Sequence, residues 1–293
     1  MINSGSKFIR KYVLFLTLLC SVVPAFLKAQ TPEQSYAFAL YQSRQGNYDI
    51  AIKSLKRIQF FDEQNTFPGV FKVLADCYFE KSDYENAYYY YDLAAVQPGN
   101  DSLLPDIVAR KVTCKLFDHQ YQEALIDLLS FNGNPNARQQ WQFNMLYGIT
   151  YFYLGEYNES KQYFLEGADS LQLKQIAGLN ADFKSLKHIE KRYNPKTARV
   201  MSIIIPGSGQ MWAGNYRDGI NSILLVSGLL GVSVALSGSL SIFDSFVIIA
   251  PWFQRYYMGG FQKAYEIATV KQQKERNKVL AHIVKTLDKP VVQ

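Results

Sequence analysis

Apolar residues in the second quarter of the chain fall at helical spacing and are interrupted at regular intervals. Leu74, Ala75 and Tyr78 share one face, and after the turn Ser82-Asp83-Tyr84 the residues Ala87, Tyr91 and Ala94 share the next. This pattern predicts two short helices that meet through small side chains, with tyrosines filling the space between neighbouring pairs. Pro98-Gly99 closes the unit. The setting recurs: Gly46-Asn47-Tyr48, Ser82-Asp83-Tyr84, His119-Gln120-Tyr121 and Gly155-Glu156-Tyr157 place tyrosines at intervals of 36, 37 and 36 residues. Three residues beyond each tyrosine stands a small residue, Ala51, Ala87, Ala124 or Ser160. A period of this length marks stacked units, none of which buries its apolar face alone. The expected fold is all-α, a helical solenoid of about four helix pairs over residues 33–193, capped by the amphipathic stretch Ile176 to Tyr193.

Longer apolar runs lie at both ends. Lys7, Arg10 and Lys11 precede the run Tyr12 to Val23, Pro24 breaks it, and Ala29 offers a small residue before Gln30. Residues 1–29 are therefore expected to be a signal peptide, with a mature start at Gln30 and an uncleaved anchor as the alternative. Gly219 to Phe243 is a stretch of 25 residues without a charge, long enough to cross a bilayer. Ser227, Gly231, Ala235 and Ser239 recur every four residues, a face suited to close helix packing in lipid. After Asp244 a second apolar stretch, Ser245 to Phe253, ends at Arg255, Tyr256 and Tyr257, expected membrane anchors. Residues 198–262 then form a membrane module, either a helical hairpin, the preferred form, or one span with a partly inserted helix. The hairpin leaves the basic tail outside the cytoplasm against the positive-inside tendency, whereas a single span obeys it.

Between solenoid and apolar run lies the turn motif Pro206, Gly207, Gly209, Gln210, Trp212 and Gly214. Proline fixes one dihedral, and Gly207 and Gly209 are expected to take conformations that a Cβ opposes, so the chain turns sharply at the interface.

Two resemblances follow from these residues. Leu74 to Pro98, together with Tyr147, Gly148, Tyr151, Gly155, Tyr157 and Phe164, resembles the tetratricopeptide repeat (TPR) over residues 33 to 170. The first unit agrees at Ala39, Gly46, Tyr48, Ala51 and Leu55, but Lys111 and Lys115 stand where apolar residues are expected. The resemblance implies a concave partner-binding groove lined by Lys72, Asp76, Phe79 and Glu80 in the second unit and by Met145, Ile149, Phe152 and Tyr153 in the fourth. Packing of Phe152 and Tyr153 on the capping helix is the alternative role. Residues 198–262 resemble small bacterial paired-transmembrane-helix modules that open with a Pro-Gly-x-Gly-Gln turn, which implies a bacterial cell-envelope protein without defining an activity.

Charge follows the same partition. Residues 33–192 carry 20 acidic and 16 basic side chains (net −4), residues 193–293 carry 5 and 11 (net +6), and the first 30 carry four basic ones. The overall +6 thus belongs to the membrane-proximal parts and gives no support for a nucleic-acid partner. The tail, 263–293, is expected to be a basic amphipathic helix, lying on anionic headgroups or solvated. Ser208 between two glycines has no obvious histidine base, no phosphate-loop ending is present, and no metal-ligand spacing occurs, so no catalytic residue, metal or cofactor is expected. Asp244 has two readings: a functional acid at membrane depth, or a residue beside the hairpin turn Ser237 to Ser241. Cys77 and Cys114 sit at equivalent repeat positions about 8–10 Å apart, too far for a disulfide, and are expected as buried thiols. The expected function is a non-catalytic, membrane-tethered scaffold. It would be exported, with its repeats on the periplasmic side, binding another envelope protein or peptide and the lipid bilayer. The alternative is a membrane-active component, such as a transporter subunit or an insertion factor, in which residues 206–261 do the work.

Overall fold

A computed structural model of the chain describes residues 31–62, 67, 69–98, 102–167, 173–239 and 241–287. The expected signal peptide 1–29, the Gln30 start and the end of the basic tail, 288–293, lie outside the described residues. Among the described residues every regular element is a helix, and the helices follow one another in pairs. The chain forms two compact units that divide between Gln139 and Gln140.

The first unit holds α1 (Pro32–Arg44), α2 (Tyr48–Phe61), α3 (Val70–Glu80), α4 (Tyr84–Ala95), α5 (Leu104–Phe117) and α6 (Tyr121–Ser130). The periodic tyrosines are the first residues of α2, α4 and α6. Two residues before them the backbone turns left-handed at Gly46 (φ 78°), Ser82 (φ 60°) and His119 (φ 59°), which reverses the chain between the helices of a pair. Glycine accepts this conformation freely, whereas Ser82 and His119 bear a Cβ clash. The small residues Ala51, Ala87 and Ala124 are wholly buried, so that the paired helices approach closely. Leu55, Leu74, Ala75, Tyr91 and Ile107 complete a continuous core.

Lys111 and Lys115 are not core residues displaced from their register. Val112 is the wholly buried residue there, 37 positions after Ala75. Lys111 lies beside it and pairs with Asp92 (2.7 Å) and Asp127 (2.9 Å), while Lys115 pairs with Glu123 (2.5 Å) and sits over the Tyr88 ring. Cys77 and Cys114 are buried and unbridged. Burial pushes the Cys114 thiol up to about 12 and the Cys77 thiol up as well.

The second unit takes in α7 (Ala137–Leu154, whose first turn belongs to the first unit), α8 (Tyr157–Glu166), α9 (Leu173–Arg192), α10 (Pro195–Ile204), α11 (Ser208–Trp212), α12 (Tyr216–Ser237) and α13 (Ile242–Leu287). Tyr157 again opens its helix, after the left-handed Gly155 (φ 85°). Here Ser160 replaces the alanine and stays buried by donating to the Gly148 carbonyl at 2.7 Å. Gly148 itself is obligatory, because a Cβ would meet the Phe164 ring at 2.6 Å.

α12 and α13 run antiparallel. Asp218 of α12 pairs with Lys263 of α13 at 3.3 Å, and Gly260 lies against Ser222. α13 is 46 residues long and passes without a break through residues 262–263, so the second apolar stretch and the basic tail are one helix, with Pro251 inside it. Ser241 caps its start by accepting from the Asp244 N–H (3.3 Å), which places Asp244 in the first turn, where the helix dipole favours an acid.

The small-residue face expected to carry the helix packing is not the one used. Ser227, Gly231, Ala235 and Ser239 are exposed, and nothing lies within 4 Å of a Cβ built at Gly231. The face turned inward is Gly219, Ser222 and Val226.

Candidate functional site

The Pro-Gly-x-Gly-Gln segment ties three helices together in the second unit. Ile205 ends α10 in extended conformation, and Gly207 turns left-handed (φ 87°) to start α11. A Cβ on Gly207 would lie 2.2 Å from the Gly219 carbonyl oxygen, and one on Gly219 would lie 2.3 Å from Met211. Gly209 has an ordinary φ, contrary to expectation, and is needed for a different reason. A Cβ there would lie 1.9 Å from the Ala198 carbonyl oxygen, so α10 and α11 touch backbone to backbone. Gly214 is left-handed (φ 92°) in open space, a purely torsional requirement.

Gln210 is the centre of this arrangement and is almost wholly buried. Its carbonyl accepts from the Ser202 hydroxyl at 2.7 Å, and its amide donates to the Gly260 carbonyl of α13 at 2.8 Å. Ser202 in turn accepts from the Gly209 N–H at 3.0 Å. A buried amide with both ends satisfied fixes one geometry, since breaking either bond leaves an orphaned polar group. Ser208 donates its hydroxyl to the carbonyls of Met201 and Ile205, both at 2.8 Å, at the end of α10. Trp212 packs beside Ala198, Ala213, Ala264 and Ala268, and the Arg192 guanidinium lies 5.1 Å over its ring while donating to its carbonyl at 3.1 Å. Pro206 is half-buried in the turn that leads into α11.

Of the three expected anchors, Arg255 and Tyr256 are exposed. Tyr257 is half-buried: it stacks on Phe253 and donates to the Ile203 carbonyl at 2.6 Å, so it holds α13 against the end of α10.

The eight groove residues fall into two separate sets. In the first unit the Lys72 amino group bonds Asp76 (2.8 Å), whose other oxygen accepts from the Tyr91 hydroxyl (2.6 Å). Phe79 rests edge-on against Tyr84 and Phe117 beneath the Arg110 guanidinium, and Glu80 is exposed. In the second unit Met145 and Phe152 are buried, and Ile149 and Tyr153 pack against the same core. That core includes Leu179, Phe183 and Leu186 of the capping helix α9, and also Leu280 and Ile283 of α13. Arg276 of α13 donates to the Phe152 carbonyl at 3.0 Å and lies over the Phe152 and Tyr157 rings, while Glu190 accepts from the Tyr157 hydroxyl at 2.7 Å. Burial and the Glu190 carboxylate both push the Tyr157 phenol up. The far end of α13 thus occupies the face of α7 where an outside partner was expected.

Gly219 is readable from the sequence as a close-contact glycine, and the contacts with Met211 and Gly207 agree; Arg276 is readable only as one of the tail cations, and Ser202 and Gly260 are not singled out. A glycine inside a helical run often marks a close approach, which was the available signal for Gly260. Nothing local marks Ser202 or Arg276, because their partners lie 8 and 124 residues away. Compared with known proteins, the chain matches no family model, no curated protein and no solved structure at a level that marks relatedness.

Proposed function

We propose that this chain is a non-catalytic, membrane-tethered scaffold whose helical repeats, of tetratricopeptide type, position another cell-envelope protein at the bilayer. The observation that carries it is the surface of α12 and the first half of α13. Leu224, Val234, Ile242, Phe243 and Phe246 are each more than 60% exposed. Water does not favour so continuous an apolar surface, whereas lipid does. α12 is long and apolar enough to cross a membrane by length and composition, and α13 returns beside it. A returning α13 keeps its far end, with Leu280 and Ile283, on the side of the bilayer that holds α7 and α9. That geometry favours the hairpin over a single span. The basic N-terminal run supports export of the repeats.

Because α13 covers the face of α7, docking is assigned to the first unit, on the surface around Lys72, Phe79 and exposed Glu80. The test is affinity capture of the full-length chain from detergent-solubilised membranes, beside the charge-reversed Glu80→Lys. The expected result is a chain that resists alkaline carbonate extraction and retains a protein that Glu80→Lys releases. Release by carbonate, or a retained set unchanged by Glu80→Lys, overturns the assignment.

A further inference from the structure

The open end of the α12/α13 hairpin holds a cleft of about 320 Å³ that the Gln210 arrangement does not use up. Its inner wall carries the Ser222 hydroxyl, which is inaccessible to solvent and has no hydrogen-bond partner, on a residue only 9% exposed. An unpartnered buried hydroxyl costs about 1–3 kcal/mol and is kept only where something else repays it. Gly260 opens the wall opposite: a Cβ there would stand 2.8 Å from that hydroxyl.

Arg255 and Lys263 flank the opening. Lys263 is held by the Asp218 carboxylate, which also accepts from the Asn215 side-chain amide, while Arg255 has no ion-pair partner among the described residues. Two cations against one engaged carboxylate leave the cleft positive. The planar guanidinium fork of Arg255 fits the oxygens of a phosphate, and a serine hydroxyl donates to the same group. Leu225 also lines the cleft, and the exposed apolar side chains of α12 continue from it.

We propose that this cleft binds the phosphate of an anionic phospholipid, with Arg255 and Ser222 on its oxygens and the acyl chains lying along α12. Inorganic phosphate shares the headgroup chemistry but leaves the apolar half of the site unused. The proposal rests on the membrane reading given above, since the cleft lies at headgroup depth only if the hairpin is inserted.

The test uses full-length protein in nanodiscs of phosphatidylcholine alone and of equal parts phosphatidylcholine and phosphatidylglycerol, with retained lipid counted by native mass spectrometry. Wild-type protein should keep phosphatidylglycerol through detergent exchange, and Arg255→Gln should lower its retention about tenfold, the loss expected for one charge-assisted hydrogen bond. Ser222→Val, which removes the hydroxyl without the charge, should lower it in the same direction. Arg217→Gln, exposed and outside the cleft, should leave it unchanged. Equal loss in Arg217→Gln would show general attraction to a charged surface and overturn the site, as would equal retention in all variants. Displacement of lipid by inorganic phosphate at matched concentration would overturn the lipid assignment. A chain that fails to enter discs of either composition defeats the membrane reading itself, and the site with it.

Discussion

The tightest constraints at the level of single residues are four left-handed turns, at Gly46, Ser82, His119 and Gly155. Each stands two residues before a tyrosine that opens a helix, so the turn and the repeat period are one feature. Only two of the four carry the residue that the backbone prefers. No atom lies within 4 Å of a Cβ built at Gly46, so Gly46→Ala tests the torsional term alone. Ser82→Gly is expected to stabilise the first unit by about 0.5–1 kcal/mol, since relief of the Cβ clash outweighs the added freedom of the unfolded chain. Gly46→Ala should destabilise it by about 1 kcal/mol. Urea unfolding of both variants decides the matter, and a Ser82→Gly that unfolds earlier than wild type would show that the serine has a role the backbone angle does not reveal. The tyrosine period was legible because it repeats. The left-handed turn was only half legible, because serine and histidine do not advertise it.

At the level of elements, the α10–α11–α12 turn shows how a motif can be visible while its reason is not. Pro206, Gly207, Gly209 and Gln210 stood out as a group, yet a sequence gives no distances. Gly209 looked like a conformational glycine and proves to be a contact glycine, while the periodic small residues around Gly231 looked like contact positions and face outward. These assignments separate under substitution. Gly209→Ala drives a methyl group into the Ala198 carbonyl and should cost about 1–3 kcal/mol or more, because the obstacle is backbone and cannot swing aside. Gly231→Ala meets nothing and should leave the thermal transition of the detergent-solubilised protein where it is. If Gly231→Ala proves the more damaging, that face is in contact with something outside this chain, and the intramolecular assignment of the hairpin seam fails.

For the whole molecule, composition and contact divide the chain at different places. Charge and hydropathy change near residues 193–198, but the compact units part at Gln139/Gln140. The last helix pair and its cap therefore belong with the apolar hairpin. The reason is the length of α13: a helix of 46 residues outruns its partner α12 and lays Leu280 and Ile283 on the core formed by α7 and α9. Nothing in the tail sequence announced this, since a stripe of Ile and Leu among lysines reads equally well as a lipid-facing or a solvated helix. Ile283 is wholly buried, so Ile283→Ala should cost about 2–5 kcal/mol in the second unit. Each unit is stabilised by its own core, so the loss should stay local. Hydrogen exchange of the variant should rise in α7, α9 and the last turns of α13, with α1 to α6 exchanging as in wild type. An equal rise through α1 to α6 would mean that the two compact units open as one cooperative body. No change in α7 would mean that the far end of α13 does not hold that face closed, and Met145, Ile149, Phe152 and Tyr153 would again be candidates for an outside partner.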